Sequence, residues 1–159
     1  MFGAPVKSET RPSGEIVPEN DSAEGRRSIY LIVRRSAPQT LLNVLGAPVM
    51  EVNCTRRAAY NSASQALTLM NGEFIAAQAE NFARRVLREG TPAGSSSIEH
   101  AFRLAFARNP SAREKDLLMT FVERQEQRYA SADAETRRLR AYANLCQSLL
   151  SANEFIYID

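Results

Sequence analysis

Cysteine and histidine are scarce in this chain of 159 residues, which has two of the first and one of the second. Cys54 and Cys146 lie in no CxxC or CxxCH spacing, and this excludes a c-type haem attachment site within the chain. A tetrahedral zinc site needs about four Cys or His ligands, more than the sequence offers beside His100. We therefore expect neither a metal nor a cofactor here. A Cys54–Cys146 disulfide and two reduced, packed thiols both stay open.

Long apolar runs are also missing. No stretch approaches the roughly 18 to 20 residues that cross a bilayer, and no basic segment followed by an apolar one opens the chain as a secretion signal would. The sequence thus predicts no membrane span and contains no signal peptide. The opening MFGAPV resembles the middle of a loop, so we expect Met1 to be an internal methionine and the chain to be a fragment of a larger protein.

Lysine is scarce as well: two of the 20 basic residues are lysine and the other 18 are arginine. Residues 1–24 carry three net negative charges, whereas residues 26–57 carry six arginines against Glu51 alone. A positive field of this kind would hold a carboxylate, sulfate or phosphate. The alternative is intramolecular pairing with the acidic segment or with a neighbouring domain.

Many of the arginines occur as adjacent pairs. Neighbouring side chains diverge by about 100° on a helix and point to opposite faces of a strand, so no pair feeds a single basic stripe. With no strong overall charge and no nucleic-acid motif, the sequence predicts no nucleic-acid partner. The pairs are at 26–27, 34–35, 56–57, 84–85 and 137–138.

Proline and glycine are concentrated at the start of the chain, which predicts an extended arm over residues 1–25 with one short strand at 15–17. The apolar, β-branched run at 28–33 is interpreted as a second strand available to pair with the first. Because the run is continuously apolar, its period alone does not distinguish a strand from a buried helix.

Helical spacing dominates beyond Pro38. The two S-x-x-E boxes, at 96–99 and 111–114, predict helix starts, and Asn153 is interpreted as a left-handed cap before an extended tail. The fold class is mainly α: an irregular bundle of four to five helices with a small N-terminal β element and an extended arm. Residues 26–159 form the α-helical C-terminal domain. The sequence predicts a short helical turn at residues 40–45 and helices at residues 62–70, 73–90, 96–106, 111–129 and 134–152.

One block of sequence is more distinctive than the rest. It contains Cys54-Thr55-Arg56-Arg57, then Asn61-Ser62, Gln65-Ala66-Leu67 and Met70-Asn71. Together with residues 26–48 and the ending NEFIYID, this order resembles the planctomycete-type domain of unknown function 1553. Met70 stands where that family usually has leucine, and Gly46 stands where it usually has aspartate.

The resemblance implies the closing part of a large exported or periplasmic protein. Relatives frequently carry a cytochrome-c-like haem domain, so haem c is expected only in the missing N-terminal part. The missing N-terminal domains are then the expected partners.

Five residues are candidates for ligand binding. The planar fork of Arg57 suits a carboxylate or sulfate, while Gln65 and Asn71 carry amides that read sugar hydroxyls or lock a backbone carbonyl. Arg34 and Arg35 are placed for acidic groups. The structural alternative is a buried Arg57 bonded to loop carbonyls, with the two amides fastening the loop. We predict no catalytic residue, since Cys54 has no histidine near it in sequence and His100 reads as a solvated side chain.

Two functions follow from these observations. The first is an accessory or docking domain without catalytic activity of its own, in a protein linked to periplasmic redox chemistry or polysaccharide breakdown. The second is the substrate-binding part of an enzyme that recognises an anionic or sugar-like ligand, such as an anionic glycan, through Arg57, Gln65 and Asn71.

Overall fold

A short β-hairpin opens the described part of the chain. The computed structural model describes residues 6–19, 27–32, 34, 36–48, 62–90 and 94–157. Strand β1 (Ser8–Thr10) pairs with β2 (Ile16–Pro18) in antiparallel register. The turn contains Gly14 with φ of 82°, a conformation that side chains with a Cβ rarely adopt. The predicted N-terminal β element is thereby confirmed.

The second predicted strand, at residues 28–33, is wrong over its first half. Ser28–Tyr30 form a turn of 3₁₀ helix. The chain then runs beside Val6, whose N–H donates to the carbonyl of Tyr30 at 2.8 Å and whose carbonyl accepts from the N–H of Ile32 at 2.9 Å. The partner of residues 15–17 is therefore β1 rather than this segment, because the closer pairing across a tight turn costs less loop entropy.

Helix α1 (Thr40–Val44) is fastened to the hairpin by two polar side chains at its start. The Thr40 hydroxyl accepts from the N–H of Ile16 at 2.9 Å, and the buried Gln39 amide donates to the hydroxyl of Ser8. The helix ends at Gly46, whose φ is 76°. The predicted helix at residues 40–45 is confirmed to within one residue, and its glycine stop has the expected left-handed backbone.

Among the described residues six further helices follow, and the chain forms two compact units, residues 1–68 and residues 69–159. The predicted boundary between residues 25 and 26 lies outside the described residues and stays a prediction. The helices are α2 (Ala63–Asn71), α3 (Glu73–Glu89), α4 (Gly94–Phe106), α5 (Ala112–Arg128), α6 (Ala134–Leu150) and α7 (Asn153–Ile156).

The second unit has its core between α3 and α6. Small side chains of α3, Ala79 and Ala83, are fully buried and allow the two helices to approach closely. On α6 the large side chains Tyr142 and Leu145 fill the facing positions and are at most 1% exposed. Helices α4 and α5 complete the core with the buried residues Ile98, Ala101, Phe102 and Val122.

The two predicted capping boxes have different outcomes. At α5 both bonds of the box form, since Ser111 Oγ accepts from the N–H of Glu114 and the Glu114 carboxylate accepts from the N–H of Ser111. The helix start predicted from the box at 96–99 is wrong, because α4 already begins at Gly94. Glu99 instead pairs with Lys115 on α5, with Oε1 and Nζ 2.6 Å apart.

The predicted end of the chain is also wrong. Asn153 does not cap a helix in the left-handed region but begins α7. Among the described residues the positive φ of a residue other than glycine is found at Ala107 instead, with a value of 56°. The extended tail expected after residue 153 is helical as far as Ile156. Binding of Glu154 to Arg108, described below, explains why this turn stays attached.

The predicted fold class, mainly α with a small β element, is confirmed. Among the described residues five helices have nine residues or more, and the other two have five and four. Within the described part of the chain, no helix has both the length and the apolar character needed to cross a membrane.

Candidate functional site

Two of the five predicted ligand-binding residues, Arg35 and Arg57, lie outside the described residues. Arg34 is exposed, and its carbonyl accepts from the N–H of Ala37 at 3.2 Å. Gln65 is buried near the start of α2, whereas Asn71 is exposed at its end. The ligand-binding role of these five residues stays a prediction.

Gln65 has a clear local role. Its side-chain oxygen accepts from the N–H of Ser62, and the Ser62 hydroxyl accepts from the N–H of Gln65, each at 3.2 Å. These reciprocal bonds are a capping box at the first turn of α2. Ser62 is therefore the N-cap of α2, and Gln65 stabilises the start of the helix, a structural role of the kind that the sequence offered as the alternative to ligand binding.

His100 is less solvated than the sequence predicts. Its Nε2 lies 3.3 Å from the carboxylate of Glu89, whose Oε1 and Oε2 also accept from Arg85 Nε. The hydrogen bond to His100, followed by that to Arg85, lowers the pKa of Glu89. This cluster links the end of α3 to α4. Because the His100 ring contacts the Glu89 carboxylate, it is not placed as an unpaired general base.

Cys146 is a fully buried free thiol on α6. Burial raises its pKa to about 12, so the thiolate that nucleophilic chemistry needs is strongly disfavoured. The predicted packed thiol describes Cys146 well. Cys54 lies outside the described residues.

A charged cluster around Arg108 was not predicted from the sequence. Arg108, just after α4, donates to the carboxylates of both Glu154 and Glu114, with N–O distances between 2.6 and 3.1 Å. Its guanidinium also stacks over the ring of Phe102, with 4.7 Å to the centroid. The Arg108 bonds lower the pKa of Glu154, and with the Ser111 bonds they lower that of Glu114 to about 2. The cluster joins α4, α5 and α7, a structural role.

A polar cleft of about 380 Å³ lies between α3, α5 and α6. Asn144, one of its lining residues, donates from Nδ2 to Gln125 Oε1 at 2.9 Å and to the hydroxyl of Tyr129 at 3.1 Å. The Arg140 guanidinium covers the Tyr129 ring at 5.5 Å. These side chains contact one another and form a polar layer in which each member holds its neighbours in place. The polar layer consists of Gln125, Tyr129, Arg140 and Asn144. Gln125 stands at helical spacing between Val122 and Tyr129, and a polar residue at that position is the sequence signal that could have revealed this layer.

The two units differ in how they bury apolar side chains. Among the described residues of the first unit no apolar side chain is buried, and Ile29 and Leu67 are 81% and 60% exposed. The buried side chains there are the amides Gln39 and Gln65. By contrast, the second unit has a continuous apolar core. Among the described residues of the first unit, the exposed Ile29 side chain is thus available to another surface.

Known proteins give a family but no activity. The family model described as "PSD1: Protein of unknown function (DUF1553)" matches residues 1–122. No curated protein and no solved structure matches the chain. Within the described residues no group of three or more histidine, cysteine, aspartate or glutamate side chains is placed to hold a metal ion.

Proposed function

The chain belongs to the DUF1553 family of proteins of unknown function, and we propose that it is an accessory helical domain that docks against other segments of a larger exported protein. The first unit carries this proposal. Its described residues contain no buried apolar side chain, and polar bonds between Gln39, Thr40 and the hairpin hold it together. Covering the exposed apolar side chains among these described residues with a partner surface would stabilise the unit.

The polar groups of the second unit support the same proposal. Arg108 is bound to two carboxylates, Asn144 to Gln125 and Tyr129, and His100 to Glu89. Groups that in an enzyme would face a substrate are here turned toward one another. We propose that the second unit has a structural rather than a catalytic role.

Hydrogen exchange tests docking directly. We expect the amides of residues 8–18 and 40–44 to exchange faster in the isolated chain than in the longer protein that contains it. The amides of α3 and α6 should be protected in both and serve as the internal reference. Equal protection of the first unit in both proteins would contradict docking.

A pair of variants locates the surface. Ile29→Asp should leave the stability of the isolated chain within about 0.5 kcal/mol, because the side chain is exposed, and should reduce the protection gained in the longer protein. Gln127→Asp, an equal change of charge at an exposed position of α5, is the control. The same loss of protection with both variants would argue against a surface at Ile29.

Export, a haem-bearing neighbour and a link to redox chemistry or polysaccharide breakdown belong to the same proposal. They rest on the resemblance of the sequence blocks. A reading frame that continues upstream of Met1 and encodes a signal peptide and a CxxCH motif would support them. A gene that begins at Met1 would remove them.

The alternative function, recognition of an anionic or sugar-like ligand through Arg57, Gln65 and Asn71, remains a prediction. Binding to a panel of sulfated and uronic glycans, lost in Arg57→Ala and kept in Arg113→Ala, would favour it. Absence of binding by the unmodified chain would count against it.

A further inference from the structure

A second cleft, of about 610 Å³, lies between the C-terminal half of α3 and the N-terminal half of α6. Arg84 and Arg88, four residues apart on α3, lie on one side, and Arg138 of α6 lies on the other. The cleft brings together one member from each of two arginine pairs, at 84–85 and 137–138. Divergence within a pair does not prevent single members of two pairs from meeting across two packed helices.

The charges of this cleft favour an anion. Three guanidinium groups face one carboxylate, that of Glu135, which gives a net formal charge of +2 in the lining. The Arg84 and Arg88 side chains are 57% and 78% exposed. Arg84 is held at the rim by Glu80, which leaves further donors of its guanidinium for another acceptor.

Arg88 and Arg138 are positioned in different ways. The contact of Arg88 with Glu89 is long, 3.7 Å between Nη2 and Oε1. Arg138 lies with its guanidinium 5.8 Å from the centre of the Tyr142 ring. Arg138 also forms a hydrogen bond with the side chain of Tyr142, and this contact holds the guanidinium in place. Positively charged side chains therefore line the cleft from both helices.

The apolar part of the cleft sets the kind of anion. Leu87 and Leu139 line it between the arginines. Its volume lies within the roughly 300 to 1,000 Å³ of clefts that bind small molecules through an apolar surface and a few polar groups. We propose that this cleft binds a small organic anion, with its carboxylate, sulfate or phosphate group on the arginines and its apolar body against the two leucines.

This proposal is independent of docking by the first unit, because all of its residues lie in the second. The test is a calorimetric titration of the full chain with 1-naphthalenesulfonate and 1-naphthoate. Neutral 1-naphthalenemethanol and inorganic sulfate are tested beside them. We expect saturable binding of one molecule of each aromatic anion, weakened by added salt, and much weaker binding of the neutral alcohol and of sulfate.

The variants assign the binding to the cleft. Arg84→Gln with Arg88→Gln should weaken binding by about tenfold or more, because two charge-assisted hydrogen bonds are lost. Arg113→Gln with Arg124→Gln removes the same charge from exposed positions of α5 and should leave the affinity unchanged. Amide shifts in NMR should cluster at residues 84–88 and 134–139.

Three outcomes would overturn the proposal. One is no saturable binding of either aromatic anion. Another is an equal loss in both double variants, which would mean that only the net charge matters. The third is binding of the neutral alcohol or of sulfate as tightly as the aromatic anions, which would remove the paired requirement for charge and an apolar body.

Discussion

Arg108 and Glu154 are 46 residues apart in sequence and are joined by two hydrogen bonds, from Nε to Oε1 at 2.6 Å and from Nη2 to Oε2 at 2.8 Å. The same guanidinium binds Glu114, so one arginine connects the end of α4 to the starts of α5 and α7. Parallel bonds of this geometry are among the stronger ionic contacts in proteins. The cluster explains why the last described turn of the chain is attached to the second unit.

This cluster predicts acid sensitivity. The pKa of Glu114 is about 2, below its ordinary value of 4.5, chiefly because of Arg108. A depressed carboxyl pKa stabilises the fold above the unfolded value, and that contribution is lost as the pH falls from about 4.5 toward 2. Stability measured by urea denaturation should decline over this window. A flat profile from pH 5 to pH 2 would contradict the prediction.

A variant isolates the cause of that decline. Arg108→Gln should raise the pKa of Glu114 part of the way back toward 4.5, while the Ser111 bonds still hold it below that value. The pKa is read from the carboxyl carbon shift of Glu114 in an NMR titration. Arg113→Gln is the control and should leave it unchanged.

Gly90, which follows α3, has too little space around it for a side chain. A Cβ added there would stand 2.7 Å from both Ser97 Oγ and the carbonyl oxygen of Val86, and the second of these is backbone that cannot turn away. Gly90→Ala should therefore lower the free energy of unfolding by about 1 to 3 kcal/mol. Urea denaturation measures the change. An unchanged or higher stability would show that the turn relaxes freely.

At Ala107 the reverse substitution, alanine to glycine, should raise the stability. Its φ of 56° lies in the left-handed region, just after α4, where its N–H donates to the carbonyl of Arg103 at 2.9 Å. A Cβ is unfavourable in that conformation, so Ala107→Gly should stabilise the protein by about 0.5 to 1 kcal/mol. Ala130→Gly, at an exposed position without positive φ, is the control and should not stabilise. A lower melting temperature for Ala107→Gly would contradict the strain.

Local patterns predicted most of the second unit. The Ser111 box, the helical spacing of 73–90 and the apolar face of 139–150 need only neighbours within one or two turns, and these features are present. Helical spacing alone did not identify every buried position, since Leu117 of α5 is 62% exposed. Its neighbour Leu118 takes the half-buried position instead.

Contacts between distant segments were not predictable in the same way. The pairing of Val6 with residues 30–32, the bond from Arg108 to Glu154 and the meeting of Arg84 with Arg138 each depend on which elements pack together. No local period encodes that choice. Of the candidate ligand residues, the role of Gln65 was visible in the spacing Ser62 to Gln65, which is that of a capping box.

Cys146 predicts slow thiol chemistry. We expect its reaction with a disulfide reagent at pH 8, in a Cys54→Ser variant, to be at least about a hundredfold slower than that of free cysteine, since burial disfavours the thiolate. Unfolding in urea should restore an ordinary rate. Fast reaction of the native protein would contradict the burial. For the unmodified chain, an intact mass lower by two hydrogens would show a Cys54–Cys146 bond instead.

The polar layer of the second unit predicts a strongly non-additive pair. Asn144→Leu removes the donor that binds the buried Gln125 and the hydroxyl of Tyr129, and it should cost about 1 to 3 kcal/mol of unfolding free energy. Adding Gln125→Leu removes the stranded acceptor, so the double variant should be more stable than Asn144→Leu alone. Gln127→Leu, at an exposed position of the same helix as Gln125, is the control and should change stability by less than about 0.5 kcal/mol.

Urea denaturation of Asn144→Leu, Gln125→Leu, the double variant and the control Gln127→Leu decides whether this layer acts as a connected unit. Additive losses from Asn144→Leu and Gln125→Leu would mean that each side chain contributes through its own packing. Recovery in the double variant would mean that the cost of the single change is an unsatisfied buried oxygen. The second result is expected, because the 2.9 Å bond joins the two amides directly and Gln125 is buried among the apolar residues of α5.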